Sequence, residues 1–150
     1  MELAPVKPSR ARDLFAAAVV LGALTYVFLV FNYQDLPRFP PTAPLSLLII
    51  GLVELQTASI TRRRLQGRPG TRPILPLTVA RLAAMAKAGS LAGAALAGAW
   101  AAVLGYVLPR SDEFRTAGAD AITAGLGIGA AAVLLAGGLL LERVCRVPKS

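Results

Sequence analysis

The sequence predicts an all-α membrane protein, a bundle of four transmembrane helices with both termini on the cytoplasmic side. Three observations predict it. The chain is 55% hydrophobic with a mean hydropathy of +0.62. That is more apolar surface than a soluble domain of 150 residues can bury. The apolar residues fall in four long blocks, each close to the length needed to cross a bilayer. The cations gather on one alternating set of the polar segments between them.

The elements follow in order. Residues 1–13 form a basic lead with Lys7, Arg10 and Arg12, and Pro5 and Pro8 oppose a regular helix there. The first span, 14–31, would be ~27 Å long as a helix. It exceeds a signal-peptide apolar core and no small-x-small cleavage pattern follows, so an uncleaved helix is expected. Residues 32–44 hold Pro37, Pro40, Pro41 and Pro44, which make a stiff, non-helical loop. The second span, 45–61, is short and carries Glu54 inside. A basic loop, 62–76, follows with Arg62, Arg63, Arg64, Arg68 and Arg72. Within it, Pro69-Gly70 suits a type II turn, and Pro76 can open the next helix because its missing N–H costs nothing there. The third span, 77–108, begins with Arg81 and Lys87 and continues without charge. A polar loop leads to the fourth span, 121–141, and a short basic tail closes the chain.

Orientation follows from the cations. The lead, the 62–76 loop with its flanks and the tail together hold thirteen Lys and Arg, against three in the other two loops, Arg38, Arg110 and Arg115. Such a bias over short loops places the lead, the basic loop and the tail in the cytoplasm. The expected location is the cell membrane, with a multi-pass topology. Tyr33, Phe39, Tyr106 and Phe114 are then expected at the outer interface, where amphipathic rings are favoured.

Helices in lipid associate through close backbone approach rather than burial of apolar area. Gly89-x-x-x-Gly93 on the third span and Gly125-x-x-x-Gly129 on the fourth predict a tight central pair, with the first two helices outside. Glu54 is the most informative single residue, because a carboxylate inside a span is costly and normally faces a partner or a cavity. Lys87 begins the apolar part of the third helix, and the two would lie at similar depth. A Glu54–Lys87 ion pair is therefore expected, with Thr57, Thr61 and Ser90 completing a polar seam. Asp120, at the start of the fourth span, suits the positive end of a helix dipole.

Several chemistries drop out. The chain has no histidine, which removes a Ser-His-Asp triad and any His-ligated metal site. Its one cysteine, Cys145, excludes an intrachain disulfide. Residues 125–130 read GLGIGA and match a dinucleotide-binding pattern literally. They lie inside a hydrophobic span, without the strand and exposed helix start that pattern requires. No cofactor is expected. The net charge of +8 has no nucleic-acid-binding motif beside it, so nucleic acid is not an expected partner. Arg62, Arg63, Arg64, Arg68, Arg72 and Arg81 instead form a patch suited to anionic lipid headgroups, a phosphate or a membrane-protein partner.

The run RRRLQGRPGTRPILPLTVARLAAMAKAGSLAGAALAGAW, residues 62–100, and the closing LERVCRVP, residues 141–148, resemble an actinobacterial membrane family known as domain of unknown function 3180. The GRPGTRP…PL…AR…AK string is the specific part. The resemblance implies a four-span protein over nearly the whole chain, of a kind often encoded beside folate-biosynthesis genes. It supplies no catalytic residues. It stresses Gly67, Gly70, Arg72, Arg81 and Lys87.

Three function classes stay open. A non-enzymatic accessory or structural protein would act through lipid, a partner or a second copy of itself, and fits the short loops. A proton-coupled dimeric antiporter would use Glu54. An enzyme on phosphorylated lipids would use the basic loop, but would need a catalytic group near the phosphate, for which only Glu2, Asp13, Glu54 and Glu142 qualify on that side.

Overall fold

The structure, a computed structural model, describes residues 9–146. Pro5, Pro8, Lys7, Glu2 and Lys149 lie outside the described residues. The described chain is helical, without a strand: α1 spans Ala11–Asn32, α2 Ala43–Leu65, α3 Pro76–Val107 and α4 Ala117–Cys145. Short 3-10 turns, Tyr33–Asp35 and Leu108–Arg110, follow α1 and α3. All four helices are long and apolar enough to cross a membrane.

The helices outrun the apolar blocks. α2 continues to Leu65, so Arg62, Arg63 and Arg64 are helical and the basic loop is shorter than 62–76. α4 starts at Ala117, which puts Asp120 inside its first turn. Hydropathy marks where lipid contact ends, whereas backbone geometry decides where a helix ends. α2 ends at Leu65, and two residues on the chain turns at Gly67, whose φ of +61° suits a residue without Cβ. There the Gly67 N–H donates to Arg64 O and the Arg68 N–H to Arg63 O, a Schellman closure. A second turn follows at once. The Thr71 N–H donates to Arg68 O at 3.1 Å and Gly70 has φ +83°, the type II geometry expected of Pro69-Gly70.

The four helices form a row rather than a square, with α1 against α3, α3 against α4, and α4 against α2. Each seam is made by small residues. Between α1 and α3, a Cβ on Gly22 would lie 2.9 Å from Gly98 O, and one on Gly98 would collide with the Ala18 backbone. Between α2 and α4, a Cβ on Gly51 would lie 2.7 Å from Leu134 N, and one on Gly137 would lie 2.9 Å from Gly51 O. Between α3 and α4, Gly93 lies against Leu135 and Gly138 against the Ser90 backbone. The pairings Gly93–Leu135 and Ser90–Gly138 run in opposite senses along the chain, so this pair is antiparallel.

Gly89 and Gly93 are buried. Gly125 and Gly129, expected to complete the α3–α4 seam, are exposed and have no neighbouring atoms within 4 Å of a built Cβ. Their place is taken by Gly127, which seats the Trp100 ring, and by Gly138, which lies against Ala86 and Ser90. The reason is helical phase. The buried stripe of α4 runs through Asp120, Ala124, Gly127, Ala131, Leu134, Gly138 and Leu141 at three- and four-residue intervals, and Gly125 and Gly129 fall off it.

Candidate functional site

The two ends of the row are built differently. At the end holding Arg38, Arg110 and Arg115, the aromatic residues do not spread over the interface as expected. Tyr33 and Tyr106 are buried, with ring centroids 5.2 Å apart. Tyr33 meets Phe114 edge-on at 5.1 Å, and Tyr26 meets Tyr106 at 5.8 Å. They turn inward because Asp120 provides a polar anchor. The Tyr33 hydroxyl donates to its Oδ2 at 2.8 Å, and the Phe39 N–H donates to Oδ1 at 3.2 Å. Asp120 thus ties the chain between α1 and α2 to the first turn of α4. It does more than answer the helix dipole, since both oxygens are used while the residue is only 2% exposed. Arg110 caps the cluster with its guanidinium 4.3 Å from the Tyr106 ring centroid.

In the other half of the row, the expected Glu54–Lys87 pair is not formed. Among the described residues the ion pairs are Arg12–Asp13 and Arg146–Glu142. Glu54 is buried and lies over Gly89, with its Cβ against Gly137. Its Oε2 has no hydrogen-bond partner among the described residues. Lys87 and Gly89 are two positions apart on one helix, roughly 200° round its axis, so a side chain seated on Gly89 is turned away from Lys87. The expected polar seam does not assemble either. The Thr57 hydroxyl donates to Val53 O within its own helix, while Thr61 is buried. The Ser90 hydroxyl donates to Lys87 O and lies 3.4 Å from Ser9 Oγ.

Sequence reasoning gave Glu142 only a passing role. It is buried at the end of α4, where its Oε1 accepts the Ser9 N–H at 2.6 Å and lies 3.6 Å from Arg146. Its Oε2 has no hydrogen-bond partner among the described residues. The detectable signal was the i,i+4 spacing of Glu142 and Arg146.

Arg62, Arg63, Arg64, Arg68, Arg72 and Arg81 are all exposed, and none is in an ion pair among the described residues. They divide among hollows at this end. Arg62 joins Arg143 and Arg146 around a hollow of about 790 Å³ between α2, α3 and α4. Arg62, Arg63 and Arg68 border a second of about 450 Å³. Arg63, Arg64 and Arg72 border a third of about 400 Å³. Arg81 borders none of these three. Cys145 is 7% exposed and lines the first hollow, where burial suits an inert thiol rather than a reactive one. No grouping of three or more Cys, Asp or Glu able to hold a metal occurs among the described residues.

An all-helical chain with four bilayer-length apolar helices is a multi-pass membrane protein. It belongs to the family described as a protein of unknown function, DUF3180, whose family model matches residues 14–149. No curated protein and no solved structure matches it.

Proposed function

We propose that this is a non-enzymatic accessory protein of the cell membrane, with both termini in the cytoplasm, whose working surface is its basic end. One observation carries the reading: six arginines at that end are exposed and free of ion pairs among the described residues. A fold that needed those charges for its own stability would have paired them. Unspent charge on one face is the footprint of an acidic partner surface. The expected partner is a membrane protein with acidic cytoplasmic segments, or a second copy of the chain. The test is purification of the tagged protein from native expression in mild detergent, with mass spectrometry of what is retained. A stoichiometric partner, lost when Arg72 and Arg81 are both changed to Gln, is the expected result. A clean homo-oligomer that ignores the same changes would overturn the accessory reading.

A second reading has its own support. Glu54 is a buried carboxyl in a niche walled by Gly89 and Gly137, with Oε2 unpartnered among the described residues. Intramembrane carboxylates of that kind serve proton-coupled antiporters. Reconstituted vesicles would show substrate-driven proton flux, abolished by Glu54→Gln. Flux unchanged in that variant removes this reading.

A further inference from the structure

We propose that the hollow between the ends of α2 and α4 and the start of α3 is a binding site for an anionic phospholipid of the cytoplasmic leaflet. The proposal rests on the accessory reading only in placing this end in the cytoplasm. Arg62, Arg143 and Arg146 would hold the phosphate, and Leu65, Leu140 and Val144 the first part of an acyl chain.

Size and charge together select the ligand. The hollow, about 790 Å³, falls in the range of sites that enclose a small amphiphile, and a bare phosphate would leave most of its wall unfilled. No Asp or Glu lines it among the described residues. The cations come from three separate places, the last turn of α2, the last turn of α4 and the residue after it. Arg146 is held at the wall by Glu142 at 3.6 Å, which leaves Arg62 and Arg143 without an acid partner among the described residues. A zwitterionic headgroup would supply its own ammonium against those guanidinium groups, whereas an anionic one presents phosphate oxygens with no competing cation. The carbonyl ends of α2 and α4 point this way and repel an anion while the start of α3 at Pro76 attracts one, so the helix dipoles oppose one another and the arginine side chains supply most of the net positive charge. The hollow is open sideways. Leu140 is 44% exposed, and the neighbouring hollow shares Arg62, Leu140 and Val144 with it. A lipid can therefore enter from the bilayer rather than from water.

The test uses the full chain, delipidated in a neutral detergent, and fluorescent phosphatidylglycerol against phosphatidylcholine with the same chains. Phosphatidylglycerol is expected to bind about tenfold more tightly. Arg62→Gln with Arg143→Gln should erase that preference, and Leu140→Ser should weaken both lipids. Arg72→Gln lies outside the hollow and should change nothing. Equal binding of the two lipids overturns the proposal, as does a preference that survives the double substitution. Loss of preference in Arg72→Gln to the same degree also overturns it, because diffuse surface charge would then suffice. Displacement by inorganic phosphate, with Leu140→Ser silent, would make this a free-phosphate site and not a lipid site. If the double variant fails to fold, thermal unfolding of the unaltered protein decides. Phosphatidylglycerol should raise the midpoint by several degrees more than phosphatidylcholine, and equal shifts count against the site. Partner retention in the Arg72 and Arg81 variants is read separately, so failure of the lipid site leaves the accessory reading standing and the converse also holds.

Discussion

The two ends of this helix row solve opposite problems. At one end a buried carboxylate, Asp120, has both oxygens bonded, and aromatic rings close over it. At the other, Glu142 leaves Oε2 unpartnered among the described residues, and exposed arginines border three open hollows. The first end is finished as a piece of structure. The second presents exposed cations, the surface that the proposed partner or lipid would meet. On that proposed reading, stability and function separate along the helix axis.

Substitutions can break or sharpen this contrast, and the largest effect is expected where both ends depend on one seam. Gly93→Leu would drive a side chain into Leu135, whose N lies 2.6 Å from a Cβ at that position. It should cost ~3 kcal/mol in reversible unfolding in mixed micelles. Gly129→Leu, at an exposed position, should change stability by less than ~0.5 kcal/mol. Equal effects from the two would refute the packing described for α4. Next comes the closed end. Asp120→Ala orphans the Tyr33 hydroxyl and the Phe39 N–H together and should cost ~2 kcal/mol. Tyr33→Phe removes only one of those bonds and should cost ~1 kcal/mol by the same assay. The smallest effect is expected at the open end. Arg62→Gln should leave unfolding within ~0.5 kcal/mol of the unaltered protein. A large loss there would show that the arginines hold the fold together and would collapse the contrast between the ends.

Much of the architecture was legible because membranes restrict the options. Lipid offers no partner for an unpaired backbone group, which leaves helices or a closed barrel, and four continuous apolar blocks of helix-spanning length read as helices. The turn at Pro69-Gly70 was legible because its geometry is local. The candidate site was less so. Glu54 is buried inside its helix row, yet the ion pair to Lys87 expected for it does not form among the described residues. Depth along the axis can be counted from sequence, but azimuth depends on how each helix is rotated in the row. The same ambiguity misplaced Gly125 and Gly129 and hid the burial of Tyr33 and Tyr106. The hollow lined by Arg62 and Arg143 was invisible for another reason. Its walls come from three helices, and no spacing in the chain connects residue 62 to residue 143.

The sequence alone therefore determined the class of the protein, the number of helices and their expected orientation. Those follow from hydropathy, charge bias and turn chemistry, which act over a few residues at a time. Tertiary structure alone decided the order of the helices in the row, the inward turn of Tyr33 onto Asp120, the glycine-walled niche of Glu54 and the hollow at the basic end. Each depends on which faces of distant helices meet. That choice is made by the closest approach of small residues, a property of pairs of helices rather than of any one of them.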